Sequence, residues 1–500
     1  MPIHPDFVYE GLLRFNFLPA QRRKREELPS VFSSETFTPL AANALLGMRP
    51  KPHARGFDLV EYRATKFNGV SRSYHIPHPV GYAQLADCIR RNWADIEPFQ
   101  QSSVSMIRPQ QHSDGRLIIM DYESFRRRSK RVRELAFAKR YTAKTDVANC
   151  FPSLYTHAIP WAAIGLTAAK TSTSGGWSND LDKFARRTVR DETQGIVVGP
   201  ATSNIIAEII LGSVDKKLES EFKFRRGSGM NGMSRFIDDY TFNCDSFDDA
   251  EKFIRRVGEE LGQFKLKLNS KKTSISNEVG SFSDSWAVDL SLRVPNGANT
   301  NAYQAINYLE YASELAGKFP DGSVLKYAVN VLSNCNLTLE AKTALTDYVL
   351  VLSIRNPVLL PSLDRFLDEV SPYSGAILFQ DRYFKIVLDG AVRCRSDSMV
   401  WALYYLARKK VAIPGNLADS VLKSGDCMAI LMLYITGFHT PKIIDWVSTF
   451  DKADHYLLDR YWILLYQLFF GGLIGADMSS VPNAFEALKS AGVTFINPRF

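Results

Sequence analysis

The chain has 500 residues, 45% of them apolar and 23% charged; these are ordinary globular values and exclude wholesale disorder and collagen-like or mucin-like classes. Lysine and arginine outnumber aspartate and glutamate by 61 to 53, unevenly: residues 1–300 carry 43 basic and 34 acidic groups, residues 301–500 carry 18 and 19. A basic first part on a neutral second part suggests that the first meets phosphate and the second has another task.

In chain order, the N-terminus MPIHPDFVYEGLLRF lacks the basic and apolar regions of a secretory signal. Helical periodicity follows near Tyr82–Trp93, Leu181–Arg190, Thr202–Glu221 and Asp248–Phe264, while Tyr141–Val147 and Met233–Cys244 read as strands. Residues 1–290 are therefore predicted to form an α+β domain. The turn-forming run Pro295-Asn296-Gly297 is the linker candidate, and residues 291–500 read as a second, all-helical domain. Asn356-Pro357 precedes Leu359, Leu363, Phe366, Leu367 and Val370, and Thr440-Pro441 precedes Ile443, Ile444, Val447 and Phe450. Each pairs a capping residue with a first-turn proline and an apolar stripe. Further periodic segments start near Ala302, Ser323, Thr338, Asp381 and Ser398, giving either a helical-repeat array of HEAT-like type or one irregular helical domain. The apolar stretch Tyr461–Ala476, broken by Gln467 and Gly471-Gly472, is shorter than the ~20 residues of a membrane span and is predicted as buried helix. No membrane contact is expected. The six cysteines are widely separated, which speaks against structural zinc or a disulfide framework and fits a reducing cytoplasm.

The chemistry gathers around carboxylates. In Arg235-Phe236-Ile237-Asp238-Asp239-Tyr240 two aspartates sit between apolar runs, where a hairpin turn is predicted. Alone, such a pair is most simply a solvated turn. A second strand-like run ends in Lys144-Thr145-Asp146-Val147; three carboxylates at the ends of neighbouring strands would repel unless cations joined them. Oxygen-only donors suit Mg²⁺, and two such ions ~3.5–4 Å apart would activate a hydroxyl and stabilise departing pyrophosphate.

The runs YTAKTDVANCFPSLYTHAIPWA, DETQGIVVGPATSNIIAEIIL, SRFIDDYTF and LKLNSKKT occur in this order, and the set resembles the palm motifs of reverse transcriptases. The segment LYTHAIPW resembles most closely the abortive-infection group of phage defence, and the length and plain helical second part are similar to its prophage-borne members. The resemblance implies a fingers and palm fold over residues 1–290. Asp146 and Asp238 would be the principal metal ligands, with Asp239 as companion and Val147 offering its backbone carbonyl. It further implies that Phe151 is a steric gate selecting deoxynucleotides, that Arg72 holds the triphosphate, that Gln194 lies beside the incoming nucleotide, and that Lys272 protonates pyrophosphate. The cofactor would be two Mg²⁺ ions, with Mn²⁺ as a substitute. The substrates would be dNTPs and the product single-stranded DNA, made without a template and attached to the protein itself, by a closed homo-oligomer in the bacterial cytoplasm. Gly199 stands where many members have serine and Phe236 where many have tyrosine.

Protein priming needs a reachable hydroxyl, and Tyr9 is the sole tyrosine of the first 50 residues, hence the priming candidate. The densest basic run, Arg126, Arg127, Arg128, Lys130, Arg131 and Arg133, is the expected nucleic-acid contact, helped by Arg22–Arg25, Arg186, Arg187 and Arg190. Two other readings use the same residues: a retroelement enzyme copying RNA, and a non-catalytic nucleic-acid binder.

Overall fold

A computed structural model describes residues 3–19, 27–49, 55–66, 69–112, 116–118, 125–222, 232–277, 285–295, 299–320, 322–365 and 376–500. The basic run Arg22–Arg25, most of the linker Pro295–Gly297, and Phe366, Leu367 and Val370 lie outside these residues.

Among the described residues the first part holds eight short strands: β1 (Leu59–Thr65), β2 (Ser71–Pro77), β3 (Gln110–Gln111), β4 (Leu117–Ile118), β5 (Tyr141–Asp146), β6 (Gly232–Phe236), β7 (Asp239–Cys244) and β8 (Ser274–Ser276). β5 to β8 form one antiparallel sheet in the order β6-β7-β5-β8, while β1 and β2 form a separate hairpin. Behind the sheet lies the helix Ala201–Phe222, apolar on most sides, burying Ile205, Ile206, Ile209, Ile210, Leu211, Val214 and Leu218. Beside it the helix Phe247–Gln263 starts at Ser246, whose hydroxyl accepts from the Asp249 amide at 3.1 Å. Its Ala250, Phe253, Val257 and Leu261 recur at helical spacing and are buried, with Phe253 stacked on Phe242 of β7 at 4.4 Å.

The second part is helical throughout the described residues, from Ala302–Lys318 to Pro482–Ser490. Thr440-Pro441 starts a helix as predicted, but Pro357–Arg365 is a 3₁₀ helix with Pro361 inside it, because a second proline removes an α-helical amide donor. Trp462–Phe470 is a buried helix ending at the Gly471-Gly472 turn. Among the described residues no helix is long and apolar enough to cross a membrane.

One buried core runs through both parts. Trp462 meets Phe17 and Phe495 at ring separations of 6.1 and 5.1 Å, and the Asn497 amide donates to the Val31 carbonyl at 2.7 Å. The free edge of β1 is capped by the helices: the Arg63 amide donates to Ser396 Oγ at 2.8 Å and the Thr65 amide to Asp397 Oδ2 at 2.6 Å. Side-chain acceptors here satisfy edge amides that would otherwise invite another strand.

Candidate active site

The sheet register explains why three carboxylates converge. Asp146 ends β5 and pairs directly with Asp239, the first residue of β7. Like charges facing each other across an antiparallel pair are destabilising, so this register needs a compensating partner. The β6–β7 hairpin turns on Ile237 and Asp238, because Phe236 pairs with Asp239; the predicted Asp-Asp turn is therefore shifted by one residue. Ile237 has φ 57°, a left-handed conformation that two-residue hairpin turns demand and that glycine or asparagine usually supplies. A β-branched residue there stores ~1–3 kcal/mol of strain.

That turn is held from below by Arg235, which has no solvent exposure. Its guanidinium donates to Asp215 at 2.7–3.1 Å, to both oxygens of Glu208 at 2.7 and 2.9 Å, and to the Ile237 carbonyl at 2.7 Å. Ser102 Oγ donates to Asp215 Oδ2 at 2.7 Å. Burial works against the Arg235 charge, and the Asp215 and Glu208 carboxylates more than offset it, holding its pKa well above the ordinary value.

Oxygen atoms of Asp146, Asp238 and Asp239 lie within 4.8 Å of one another. Burial, then the charges of Asp146 and Asp239, push the Asp238 carboxyl up to about 6. Asp146 Oδ1 is buried without a hydrogen-bond partner, an expensive state for a carboxylate oxygen. Crowded oxygens with one orphaned buried atom fit a divalent cation of the hard, oxygen-preferring type. Lys272 Nζ is paired with Asp146 Oδ2, and that hydrogen bond raises the lysine pKa. Asn269, a residue the sequence reading passed over, fixes this arrangement. Its amide donates to the Asp146 carbonyl at 2.7 Å, and its Oδ1 accepts from the Lys271 amide at 3.2 Å to start the short helix Ser270–Lys272. Asparagine before a turn of helix was the available signal.

Asp146 and Asp238 open onto a cleft of about 790 Å³ lined also by Lys66, Arg72, Tyr74, Val147, Phe151, Asn269 and Lys272. Arg72 is exposed on β2 and faces Ala64 of β1. Lys66 stands across the same hairpin and was also missed. Burial, then Arg72 and Lys272, lower its pKa; three cations around one cleft form a positive side to which a polyphosphate is suited. Phe151 is half-buried in the wall, and its carbonyl accepts from the Ile196 amide at 3.1 Å. Val147 is buried, with its amide donating to the Asp238 carbonyl at 3.2 Å.

Three sequence candidates are not brought to the carboxylates. Gln194 is exposed and absent from the cleft lining; its Nε2 donates to the Ser153 carbonyl at 3.0 Å, tying the loop behind Phe151. From its motif the stretch Val198–Ala201 reaches the cleft instead. Tyr9 is buried in the helix Pro5–Arg14, where its hydroxyl donates to Asn43 Oδ1 at 3.0 Å. Burial and the Asp87 charge raise its pKa, the opposite of an activated nucleophile. The basic run falls on the helix Phe125–Ala136; Lys130 and Arg133 are exposed, Arg131 is half-buried, and the side chains of Arg126, Arg127 and Arg128 lie outside the described residues.

Comparison with known proteins adds a domain match. Residues 91–311 match the family described as reverse transcriptase (RNA-dependent DNA polymerase). That domain indicates an enzyme, a nucleotidyltransferase with a DNA-polymerase domain of reverse-transcriptase type over those residues. No curated protein matches the chain. Among solved structures it is similar to apo telomerase from Candida tropicalis, with 11% identity, TM-score 0.34, and coverage of 81% of this chain and 73% of that one. It is also similar to Candida albicans telomerase in complex with a fragment of telomeric RNA, with 10% identity, TM-score 0.30, and coverage of 81% and 66%.

Proposed function

We propose that this reverse-transcriptase-domain enzyme polymerises dNTPs into single-stranded DNA without a template, primed from its own chain, in abortive-infection defence of a bacterial cell. The observation that carries the polymerase chemistry is the cluster of Asp146, Asp238 and Asp239 at one end of a cleft ringed by Lys66, Arg72 and Lys272. Asp146, Asp238, Asp239 and the Val147 carbonyl would hold Mg²⁺, or Mn²⁺ in its place; when bound, the ions activate the attacking hydroxyl and stabilise negative charge on the phosphates. Arg72 and Lys66 bind the triphosphate. The attacking hydroxyl gives its proton to solvent as its oxygen forms a bond to the α-phosphorus, the bond from that phosphorus to the bridging oxygen breaks, and pyrophosphate leaves with a proton from Lys272. Phe151 sets the ring against which a 2′-hydroxyl would clash.

Support for untemplated synthesis comes from the motif resemblance, and the N-terminal segment forms a wall of the same cleft. Asn16 and Leu18 line it, the Ala201 amide donates to the Asn16 carbonyl at 3.1 Å, and a Cβ on Gly199 would lie 3.0 Å from Pro19. The priming hydroxyl is one other than the buried Tyr9. In the helical part Ala302–Lys318 packs on both Val324–Leu332 and Leu339–Ser353, and Ala376–Val392 on both Ser396–Arg408 and Gly415–Ser424; this stacking on the next two helices supports a HEAT-like array, a suitable frame for a homo-oligomer.

The test is incorporation of labelled dNTPs by purified protein with Mg²⁺ and neither template nor primer. Label that stays with the protein on denaturing gels is the expected result, with mass spectrometry of nuclease-treated protein locating the attached nucleotide. Incorporation only on primed RNA supports a template-copying enzyme instead. Absence of incorporation under both conditions, with DNA still bound, supports a non-catalytic binder. Asp238→Asn abolishes synthesis if the metal assignment holds.

A further inference from the structure

Beside the cleft, and outside the residues that line it, three half-buried aromatic rings share one stretch of surface. Tyr155 meets His157 edge-on at 5.1 Å and Trp161 at 5.5 Å. The ammonium of exposed Lys265 stands over the Tyr155 ring at 4.9 Å. His157 is fixed from beneath by the buried Asp182, 2.8 Å from its Nδ1, so the group is built rather than a chance collection of exposed side chains. Lys265 adopts φ 63° just after its helix, a conformation uncommon outside glycine and asparagine.

The surface is tied to the reacting end of the molecule through backbone. Tyr155 bridges to Gln194, three residues after Pro152, which lines the cleft. From Lys265 the chain runs past Lys267, whose carbonyl accepts from the Ala148 amide at 2.8 Å, to Asn269, whose amide donates to the Asp146 carbonyl. At ~3.3 Å per residue, Lys265 is about 13 Å along this segment from Asn269. Lys265 and Lys267 are exposed, and Lys271 and Lys272 continue the positive charge.

We propose that Tyr155, Trp161 and His157 form a stacking platform, and Lys265 and Lys267 a phosphate rail, for a single DNA strand lying next to the polymerisation site. Aromatic faces take any unpaired base and lysines follow the backbone, which is how single strands are held without sequence preference. Lys265 now covers the face a base would occupy; on binding, its ammonium moves to phosphate and a base replaces it over Tyr155. A duplex keeps its bases stacked on each other and cannot use such a face. The proposal rests on the polymerase reading only for the identity of the strand as substrate or product.

Binding is measured by fluorescence anisotropy with labelled oligo-dT, in an Asp238→Asn background without Mg²⁺ or dNTPs, so that catalysis plays no part. Tyr155→Leu and Trp161→Leu are each expected to weaken binding by about 5- to 100-fold, while Tyr155→Phe keeps it. Lys265→Gln and Lys267→Gln, surface changes that leave folding alone, are expected to reduce the slope of log affinity against log salt by ~0.7 each. Wild-type affinity in folded leucine variants together with an unchanged salt slope overturns the platform, as does equal binding of duplex. If such variants bind normally while the wild type polymerises, only the platform fails; if they bind weakly while the wild type never incorporates dNTPs, only the polymerase reading fails.

Discussion

At the scale of single residues, the site depends on Arg235 as much as on the carboxylates it supports. A guanidinium with every donor used, and one of them on the Ile237 carbonyl, holds a strained turn that would otherwise relax and carry Asp238 with it. Arg235→Met would leave Glu208 and Asp215 buried without a counter-charge, and breaking such a pair costs ~3–5 kcal/mol; loss of the folded state in a thermal melt is the expected outcome. Arg235→Lys keeps the charge but has no planar fork. We expect it to fold and to lose about tenfold or more in kcat with little change in the KM for dNTPs, because in the proposed function the triphosphate is bound by Lys66 and Arg72 rather than by the turn that Arg235 holds. A folded lysine variant with wild-type kcat removes Arg235 from the positioning role. Phe151 carries a separate expectation: Phe151→Ala raises use of ribonucleotides relative to deoxynucleotides by roughly tenfold or more, measured as a ratio of kcat/KM values. An unchanged ratio leaves the ring as wall packing alone.

At the scale of elements, the helix Ala201–Phe222 has to lie close to the segment before Ser102, since Ser102 reaches Asp215 on that helix. Gly212 permits the approach: a Cβ there would stand 2.7 Å from the Phe99 carbonyl oxygen. Gly262, near the end of the helix Phe247–Gln263, has open space around the same position. Gly212→Ala is therefore expected to destabilise by ~1–3 kcal/mol through overpacking, and Gly262→Ala to stabilise by ~0.5–1 kcal/mol through reduced chain entropy; urea unfolding of both variants checks the opposite signs. Elements of this kind were the legible ones. The helices near Thr202–Glu221 and Asp248–Phe264 and the strands ending in Asp146 and flanking Asp238 follow from local periodicity, which acts over a few residues. The β1–β2 hairpin did not stand out, because Leu59–Thr65 and Ser71–Pro77 mix charged and polar residues into both strands. Their burial comes from the helical part, several hundred residues away. Lys66 and Asn269 went unnoticed for the same reason: each gains its meaning from partners on other elements.

At the scale of the molecule, the basic and neutral parts are joined by buried carboxylates that accept hydrogen bonds from β1 and the residue before it. Asp459 Oδ2 accepts from the Asp58 amide at 3.0 Å and Asp397 Oδ2 from the Thr65 amide at 2.6 Å. Nothing in the charge balance of the helical part announces these contacts, since a buried aspartate and a solvated one read alike in sequence. Burial pushes Asp459 up to about 7 and Asp397 up to about 6. In the unfolded chain both ionise near ~3.9. Between those values the folded protein binds more protons than the unfolded one, so this contribution to stability is present at low pH, falls as pH rises from ~4, and is fully lost above about 7. Asp459→Asn removes the titration while keeping an acceptor for the Asp58 amide and a partner for Ser480, which now bonds Asp459 Oδ1. We expect the variant to match the wild type in Tm near pH 4 and to exceed it at pH 8, with the gap opening from ~4 and complete above about 7. Nearby, Asp58 is paired with Arg190. Parallel Tm curves for the two proteins across this range would mean that Asp459 is ionised in the folded state, and that the helices are joined to the start of β1 by a charged contact.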